Sequence, residues 1–419
     1  MSMLKDRHLV PVRPELFAER SCPKCGAGSP TPVGVVFPGV HVLGSYQCAS
    51  CSYRFLHDLP VGFAVDHDVA IGIDDGEMHD AHGAEPWVTA PLMTGFRSPS
   101  DEEVVIERRV LRPGKRVVVL NTLDFLYGHV LLKLWNAQHY LEAHPELGLV
   151  VIIPKSFEWM VPRGTAEVWA VDQRLGKAHG WYRSIDRQVN AFLTDYDEVY
   201  LGKGYAHPDK SKVDIERYTG VQAFQLEHYA TAPRHITFVL REDRLWYRTP
   251  LHKLLDRVAG KVGLKNVFRG FLLADQQRLA MSALQKVRTS CPGVEATVVG
   301  LGDARPLPHG VVDLRTRKMT VETELAWCAA YAKSQFVVGV HGSNMLLPTA
   351  FAAGCIEILP HDRYRNLAQD VTTRWTDVMQ VFLYRFVDEF ASPSAVARHA
   401  VSMFNDYAVF YRNNRINIY

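Results

Sequence analysis

The sequence predicts an α/β protein: two parallel-sheet domains behind a small cysteine-rich module. Three observations predict it. From Lys115 onward, short β-branched runs alternate with segments of helical period, in one block that reaches Gly202 and a second that begins near Arg234. The chain has 419 residues, too many for one core and suited to two or three domains. Residues 1–60 stand apart, with two CxxC pairs, several prolines and glycines, and no helical period. The expected division is therefore 1–60 for the cysteine module, 61–114 for a β-rich connecting segment, 115–232 and 233–390 for the two α/β domains, and 391–419 for a terminal helix.

Composition narrows the class. The chain is 47% hydrophobic and 22% charged, as soluble globular proteins are. A net charge of +2 argues against bulk attraction to nucleic acid or anionic lipid. No apolar run approaches a membrane span, and Met1–Phe17 has no signal core. A cytoplasmic protein without a membrane span is expected, and nucleic acid is not expected as a partner.

Taken in order, residues 61–115 read as short strands and loops around the acidic stretch DHDVAIGIDDGEMHDAH. Arg116–Leu120 is a strand. His129 to about Ala143 has helical spacing, with Val130, Leu134, Ala137 and Leu141 on one face. Leu149–Pro154 and Glu167–Val171 are strands. Ser184–Tyr196 is a helix with Ile185, Val189 and Phe192 inward, and Glu198–Gly202 is again a strand. In the second block, His235–Leu240 is a strand, Leu251–Val262 an amphipathic helix, Asn266–Phe271 a strand and Ala274–Val287 a helix. Ala296–Gly302 is a strand. Thr320 caps a helix to Ala332 that buries Val321, Leu325, Cys328 and Ala332. Ser392-Pro393 opens a last helix to about Tyr411.

The most informative segment is Phe336–Pro360. Phe336–Val340 reads as a buried strand, His341-Gly342-Ser343-Asn344 as a tight turn, then a small-residue helix to about Gly354 and a strand over Cys355–Leu359. Such a turn directs backbone N–H groups at one spot beyond the carboxyl end of a parallel strand, where open α/β sheets bind ligands.

Cys22, Cys25, Cys48 and Cys51 form a C-x2-C…C-x2-C set, which closes a tetrahedral four-thiolate site for a structural Zn²⁺. Gly26 permits the knuckle turn, and Tyr46, Tyr53 and Phe55 can cover the metal. With four thiolates the site has no open position, so it staples rather than catalyses. The N-terminal module is thus a zinc ribbon. Cys291, Cys328 and Cys355 are scattered; the last two read as small core residues in a reducing compartment.

Three segments join Phe336–Pro360: Asn121–Lys133, Ile236–Arg248 with Arg241 and Arg244, and Asp313–Glu324. Together they resemble glycosyltransferase family 61. Tyr127–Leu132 is similar to its early YxHW-like segment, Arg241 and Arg244 to its arginine pair, and Val337–Glu357 to its HGA turn, helix and glutamate-bearing strand, with Ser343 replacing alanine. Asp313–Pro360 also resembles the donor half of heptosyltransferase-type enzymes. The resemblance covers roughly residues 115–360. It implies the GT-B fold, two Rossmann-type domains facing across a cleft, and a metal-independent, inverting hexosyl- or pentosyltransferase. The implied donor is a nucleotide sugar, a UDP-sugar first; the acceptor hydroxyl is open. The missing membrane anchor and the added ribbon depart from the family's secretory members.

Chemistry assigns provisional roles. A nucleoside diphosphate leaving group gains negative charge, which Arg241, Arg244, His341 and the N–H groups of Gly342, Ser343 and Asn344 can stabilise. His129, oriented by Asp124, can act as base on the acceptor. Glu357 can bind ribose or sugar hydroxyls, or pair with an internal arginine. Bland readings stand beside these: His129 as a packed helix-end histidine, Arg241 and Arg244 as ion pairs with Glu242 and Asp243, and Asp66-His67-Asp68, Asp195-Tyr196-Asp197, His79 and His82 as solvated loop residues. A non-catalytic binding module and a UDP-sugar epimerase or hydrolase of the same fold remain open.

Overall fold

A computed structural model describes residues 6–17, 19–80, 83–261, 263, 265–302, 305–375 and 378–414. His82 and Val262 lie outside them. The chain divides into two compact units, Met1–Asp209 and Lys210–Tyr419.

In the first unit the strands are β1 (Leu9–Arg13), β2 (Thr31–Val36), β3 (Leu43–Gln47), β4 (Arg54–Asp58), β5 (Ala70–Gly72), β6 (Met78–His79), β7 (Ile106–Val110), β8 (Arg116–Asn121), β9 (Gly148–Pro154), β10 (Glu167–Val171) and β11 (Glu198–Gly202). The helices are α1 (Pro86–Arg97), α2 (Tyr127–Trp135), α3 (Ala137–Ala143) and α4 (Arg183–Leu193). One sheet has the order β1-β11-β8-β9-β10-β7. Its four central strands are parallel and its two edges antiparallel. Valine and isoleucine runs fill those central strands because both faces are covered; Val117, Val119, Val150, Ile152 and Trp169 are buried. The second sheet, β2-β3-β4-β5-β6, is the antiparallel cysteine module. It shares one continuous core with the parallel sheet, since Tyr46, Phe55 and Cys48 cluster with Val117 and Trp169.

The central strands run β11-β8-β9-β10, so the chain leaves β8 in one direction and returns to its other side with β11. The loop after β8 therefore sits at a topological switch point.

In the second unit the strands are β12 (His235–Val239), β13 (Glu295–Val299), β14 (Val311–Asp313), β15 (Phe336–Val340), β16 (Gly354–Leu359) and β17 (Tyr384–Asp388). The helices are α5 (Ile215–Thr219), α6 (Pro250–Lys261), α7 (Lys265–Ser290), α8 (Val321–Ala332), α9 (Leu346–Phe351), α10 (Met379–Leu383), α11 (Pro393–Asn405) and α12 (Tyr407–Asn414). All neighbours in the order β14-β13-β12-β15-β16-β17 are parallel. Numbered within this unit the order is 3-2-1-4-5-6, the dinucleotide-binding arrangement, with its switch point between β12 and β15. The expected pair of Rossmann-type units with a small cysteine module is present.

Several local expectations are corrected. Asn266–Phe271 is not a strand but lies in the first turns of α7. The helix over 129–143 breaks at Asn136, whose side-chain amide donates to the carbonyls of Leu132, Lys133 and Tyr205 and so competes with the helix ladder. α1 falls in the segment read as strands and loops; its N-terminal Pro86 was the available signal. β13 stops at Val299 because Gly300 and Gly302 take φ of +136° and +146°. The helix after the HGSN turn ends at Phe351, short of Gly354. On α8, Thr320 caps as expected, accepting from Thr323 N, but Val321 in the first turn is exposed. On α6 the apolar stripe of Leu251, Leu254, Leu255 and Val258 is exposed rather than buried. The final helix is interrupted at Asp406.

Gly300 packs the end of β13 against the loop that carries Arg241. A Cβ there would lie 1.7 Å from the Leu240 carbonyl oxygen, on a backbone that L-residues avoid. Gly300→Ala should cost at least about 1–3 kcal/mol in urea unfolding; an unchanged midpoint would show that the loop yields freely.

Candidate functional site

At the switch point of the second unit, β12 delivers Arg241 and Arg244, and β15 delivers the HGSN turn. Gly342 takes φ +150° and leads into a 3-10 turn, Ser343–Met345, that runs on into α9. The reason for glycine is visible: a Cβ at 342 would lie 2.8 Å from Arg244 Cζ, so the guanidinium rests directly on the turn backbone. Within β15, a Cβ at Gly339 would lie 2.6 Å from Met345 Sδ. α9 is then fixed from outside, since Thr372 N donates to Thr349 Oγ1 at 2.8 Å and Thr372 Oγ1 to Leu346 O at 3.0 Å.

The two arginines differ. Arg241 donates twice to Asp243, at 2.8 and 3.0 Å. Arg244 is half-buried, and among the described residues no carboxylate comes within ion-pair distance of it. Burial and the neighbouring Arg363 hold its pKa below the ordinary value, with Asp243 and Asp370 opposing. Glu324, on α8, faces the charge of Arg241: burial pushes its pKa up to about 7, and Arg241 works against that.

His341 is fully buried behind the turn. Its Nδ1 bonds Glu357 Oε2 at 2.5 Å and its Nε2 lies 3.2 Å from Asn366 O. A carbonyl only accepts, so Nε2 carries a proton. Burial opposes charge on His341, but Glu357 and Asp370 raise its pKa above the ordinary value; burial raises that of Glu357. Both His341 ring nitrogens are therefore occupied, and the pair braces the turn from within. The partner of Glu357 is this histidine, not an arginine. Asn344 donates to Val340 O at 3.2 Å. Lys210, Arg363 and Asp370 were not singled out in the sequence. Lys210 donates to Ala368 O at 2.6 Å and Gln369 O at 2.8 Å, and burial pushes its pKa down to about 8 against Asp370 and Glu357.

In the first unit, Asp124 follows β8 and His129 opens α2. Asp124 is fully buried and sits 2.8 Å from the ammonium of Lys133, also fully buried. His129 Nδ1 is 3.5 Å from Asp124 Oδ1. Burial would raise the Asp124 carboxyl, yet Lys133 and His129 hold it below its ordinary value. Lys133 also donates to Leu123 O at 3.0 Å and lies over the Phe63 ring at 4.5 Å. His129 meets Phe63 edge-on at 5.6 Å and lies 6.4 Å from the half-exposed Trp87. Lys133 was legible as the one cation amid the apolar residues of α2; Phe63 and Trp87 carried no signal.

The four cysteines converge. The Cys22–Cys51 and Cys25–Cys48 sulfurs lie 3.7 and 3.6 Å apart, and all four fall within 4.8 Å of one another. A tetrahedron with arms of ~2.3 Å has edges of ~3.8 Å, so the donor set fits a thiolate-bound metal. Gly26 and Ser52, each directly after a CxxC pair, take φ of +74° and +59° and make the two knuckles. Tyr46 and Phe55 stack 5.5 Å apart behind them. The Asp-x-Asp triplets are engaged elsewhere: Asp195 pairs with Arg108 at 2.5 Å and Asp68 with His57 at 3.2 Å. Among the described residues, no helix is long and apolar enough to cross a membrane.

No protein-family model matches the chain, and no curated protein matches its sequence. Among solved structures, it is similar to a glycosyltransferase of family 9 from Veillonella parvula DSM 2008, with 8% identity, 71% of this chain and 99% of that chain covered, and a TM-score of 0.41. It is similar to E. coli ADP-heptose lps heptosyltransferase II, with 10% identity, 70% and 99% covered, and a TM-score of 0.37. A third is E. coli heptosyltransferase WaaC with ADP, with 12% identity, 70% and 98% covered, and a TM-score of 0.33.

The Asp124–Lys133 pair sets a stability test. Lys133→Met leaves a buried carboxylate alone and should cost about 3–5 kcal/mol, while Asp124→Asn with Lys133→Met should recover much of that loss in urea unfolding. Because the folded Asp124 value is depressed, its contribution is complete above the unfolded value of 3.8 and is lost as pH falls through the lower folded value. His341 runs the other way: its contribution is complete below 6.5 and is lost as pH rises through the raised folded value. Additive losses in the double variant would show that the two groups are not coupled.

Proposed function

We propose that the protein is a glycosyltransferase that moves a sugar from a nucleotide-sugar donor, a UDP-sugar first, to an acceptor hydroxyl. The observation that carries this reading is Arg244: a half-buried guanidinium without an ion-pair partner among the described residues, lying on a glycine turn at the switch point of a dinucleotide-type sheet. A diphosphate supplies the charge that this site lacks. The likeness of Tyr127–Leu132, Arg241, Arg244 and Val337–Glu357 to family 61 supports the same reading.

In the proposed transfer, the acceptor oxygen forms a bond to the anomeric carbon from the face opposite the diphosphate, which inverts that centre. The carbon–oxygen bond to the β-phosphate breaks, and its electron pair leaves with the nucleoside diphosphate. Arg244, Arg241 and the N–H groups of Ser343 and Asn344 stabilise the charge without a metal. His129 takes the hydroxyl proton on Nε2, while Asp124 faces Nδ1 and stabilises the imidazolium. His341 and Glu357 position the turn and touch no substrate. Cys22, Cys25, Cys48 and Cys51 hold a structural Zn²⁺. Reduced thiolate ligands suit a cytoplasmic protein.

Thermal-shift assays with UDP, ADP, GDP and CDP test donor binding. One of them should raise the melting temperature, and Arg244→Ala should remove the rise. His129→Ala should keep that rise but lower transfer by about 10²–10⁴-fold. No shift with any nucleotide, or an unchanged shift in Arg244→Ala, would contradict the reading; release of free sugar without an acceptor would favour an epimerase or hydrolase.

A further inference from the structure

We propose a second metal site in the first unit, formed by Asp6, His8 and His139 and suited to a divalent first-row transition ion such as Zn²⁺. It is separate from the four cysteines and independent of the proposed transfer reaction. One ligand atom from each of the three side chains falls within 4.8 Å of the others. Ligands on a Zn²⁺ with arms of ~2.0–2.1 Å lie ~3.3 Å apart, so small rotations of surface side chains close the set.

Local structure places the three. Asp6 turns the chain into β1: its carbonyl accepts from Leu9 N at 3.1 Å and its Oδ1 from His8 N at 2.8 Å. Asp6 and His8 thereby lie beside α3, where His139 meets the His8 ring edge-on at 4.9 Å. His139 Nε2 lies 3.9 Å from Asp6 Oδ2.

The surroundings have the form of an outer ligand shell. Tyr205 OH lies 3.1 Å from His8 Nδ1. With Nδ1–H donating to that oxygen, His8 keeps its Nε2 lone pair for a metal. Arg7 Nε contacts His8 Nε2 at 3.2 Å, but Arg7 is an exposed neighbour that can swing into solvent. On the carboxylate side, His144 Nε2 holds Asp6 Oδ2 at 2.6 Å and its Nδ1 faces Glu146 at 3.4 Å. A carboxylate steadied by an imidazole, and an imidazole steadied by a phenol, are the orienting contacts that metal ligands use. Two imidazoles and one carboxylate leave a fourth, open position for water. An ion there would tie the segment ahead of β1 to α3 and so fasten the antiparallel edge strand of the first sheet.

Cobalt separates this site from the thiolates. Protein holding a single equivalent of zinc, on the four cysteines, should take up one equivalent of Co²⁺ at micromolar concentration, with ligand-field bands of nitrogen and oxygen coordination and no thiolate charge-transfer band. His139→Ala and Asp6→Asn should each abolish that uptake and leave the cysteine-bound zinc in place; the His139 side chain is 44% exposed, so its loss leaves the fold intact. His144→Gln should weaken the cobalt about 10–100-fold. A chain with zinc on the four cysteines alone that takes up no cobalt, or takes it up equally in the His139 and Asp6 variants, would overturn the proposal.

Discussion

A guanidinium pressed against a glycine governs the second unit. A Cβ at residue 342 would lie 2.8 Å from Arg244 Cζ on a backbone with φ +150°, so glycine lets the guanidinium rest on the turn after β15 without strain. The sheet order makes this meeting unavoidable: β12 and β15 are neighbours at the switch point, and their carboxyl ends open side by side. A cation brought there carries a desolvation cost, offset when an anion arrives. The structure spends its acids elsewhere. Asp243 goes to Arg241, and Glu357 goes to His341 inside the fold.

His341 and Glu357 show how a buried pair shapes a site without facing it. Both are fully buried, and the hydrogen bonds of His341 run to Glu357 and to the Asn366 carbonyl. The turn is thus held from beneath, while Thr349 and Thr372 hold the helix that follows it. In the first unit, Asp124 and Lys133 make a comparable buried pair at the other switch point. There the carboxylate also faces His129, whose Nδ1 lies 3.5 Å from Asp124 Oδ1.

The sequence made much of this legible. Central parallel strands such as Glu167–Val171, Glu198–Gly202 and Phe336–Val340 stood out because burial on both faces demands continuous apolar runs. The cysteine spacing announced the knuckles, and the HGSN segment announced the glycine turn after β15. What stayed hidden depends on tertiary packing. Asn136 ends α2 through a bond to the distant Tyr205 carbonyl, and the sequence spacing of α2 and α3 gives no hint of it. The apolar stripe of α6 has helical period yet lies exposed, and period alone does not say which way a helix faces. Lys210 reaches its partners 158 and 159 residues away, a separation that short-range patterns do not encode. The edge strand β7 carries polar residues and lacks the apolar signature of its neighbours, and β14 has only three residues.

The central claim is that the Arg244–Gly342 contact is a diphosphate site. The most direct measurement is a crystal structure of the protein with a nucleoside diphosphate. The account predicts the β-phosphate against the Arg244 guanidinium and the Ser343 and Asn344 N–H groups, with His341 still bonded to Glu357 behind the turn. A nucleotide bound elsewhere, with Arg244 free of phosphate, would contradict it.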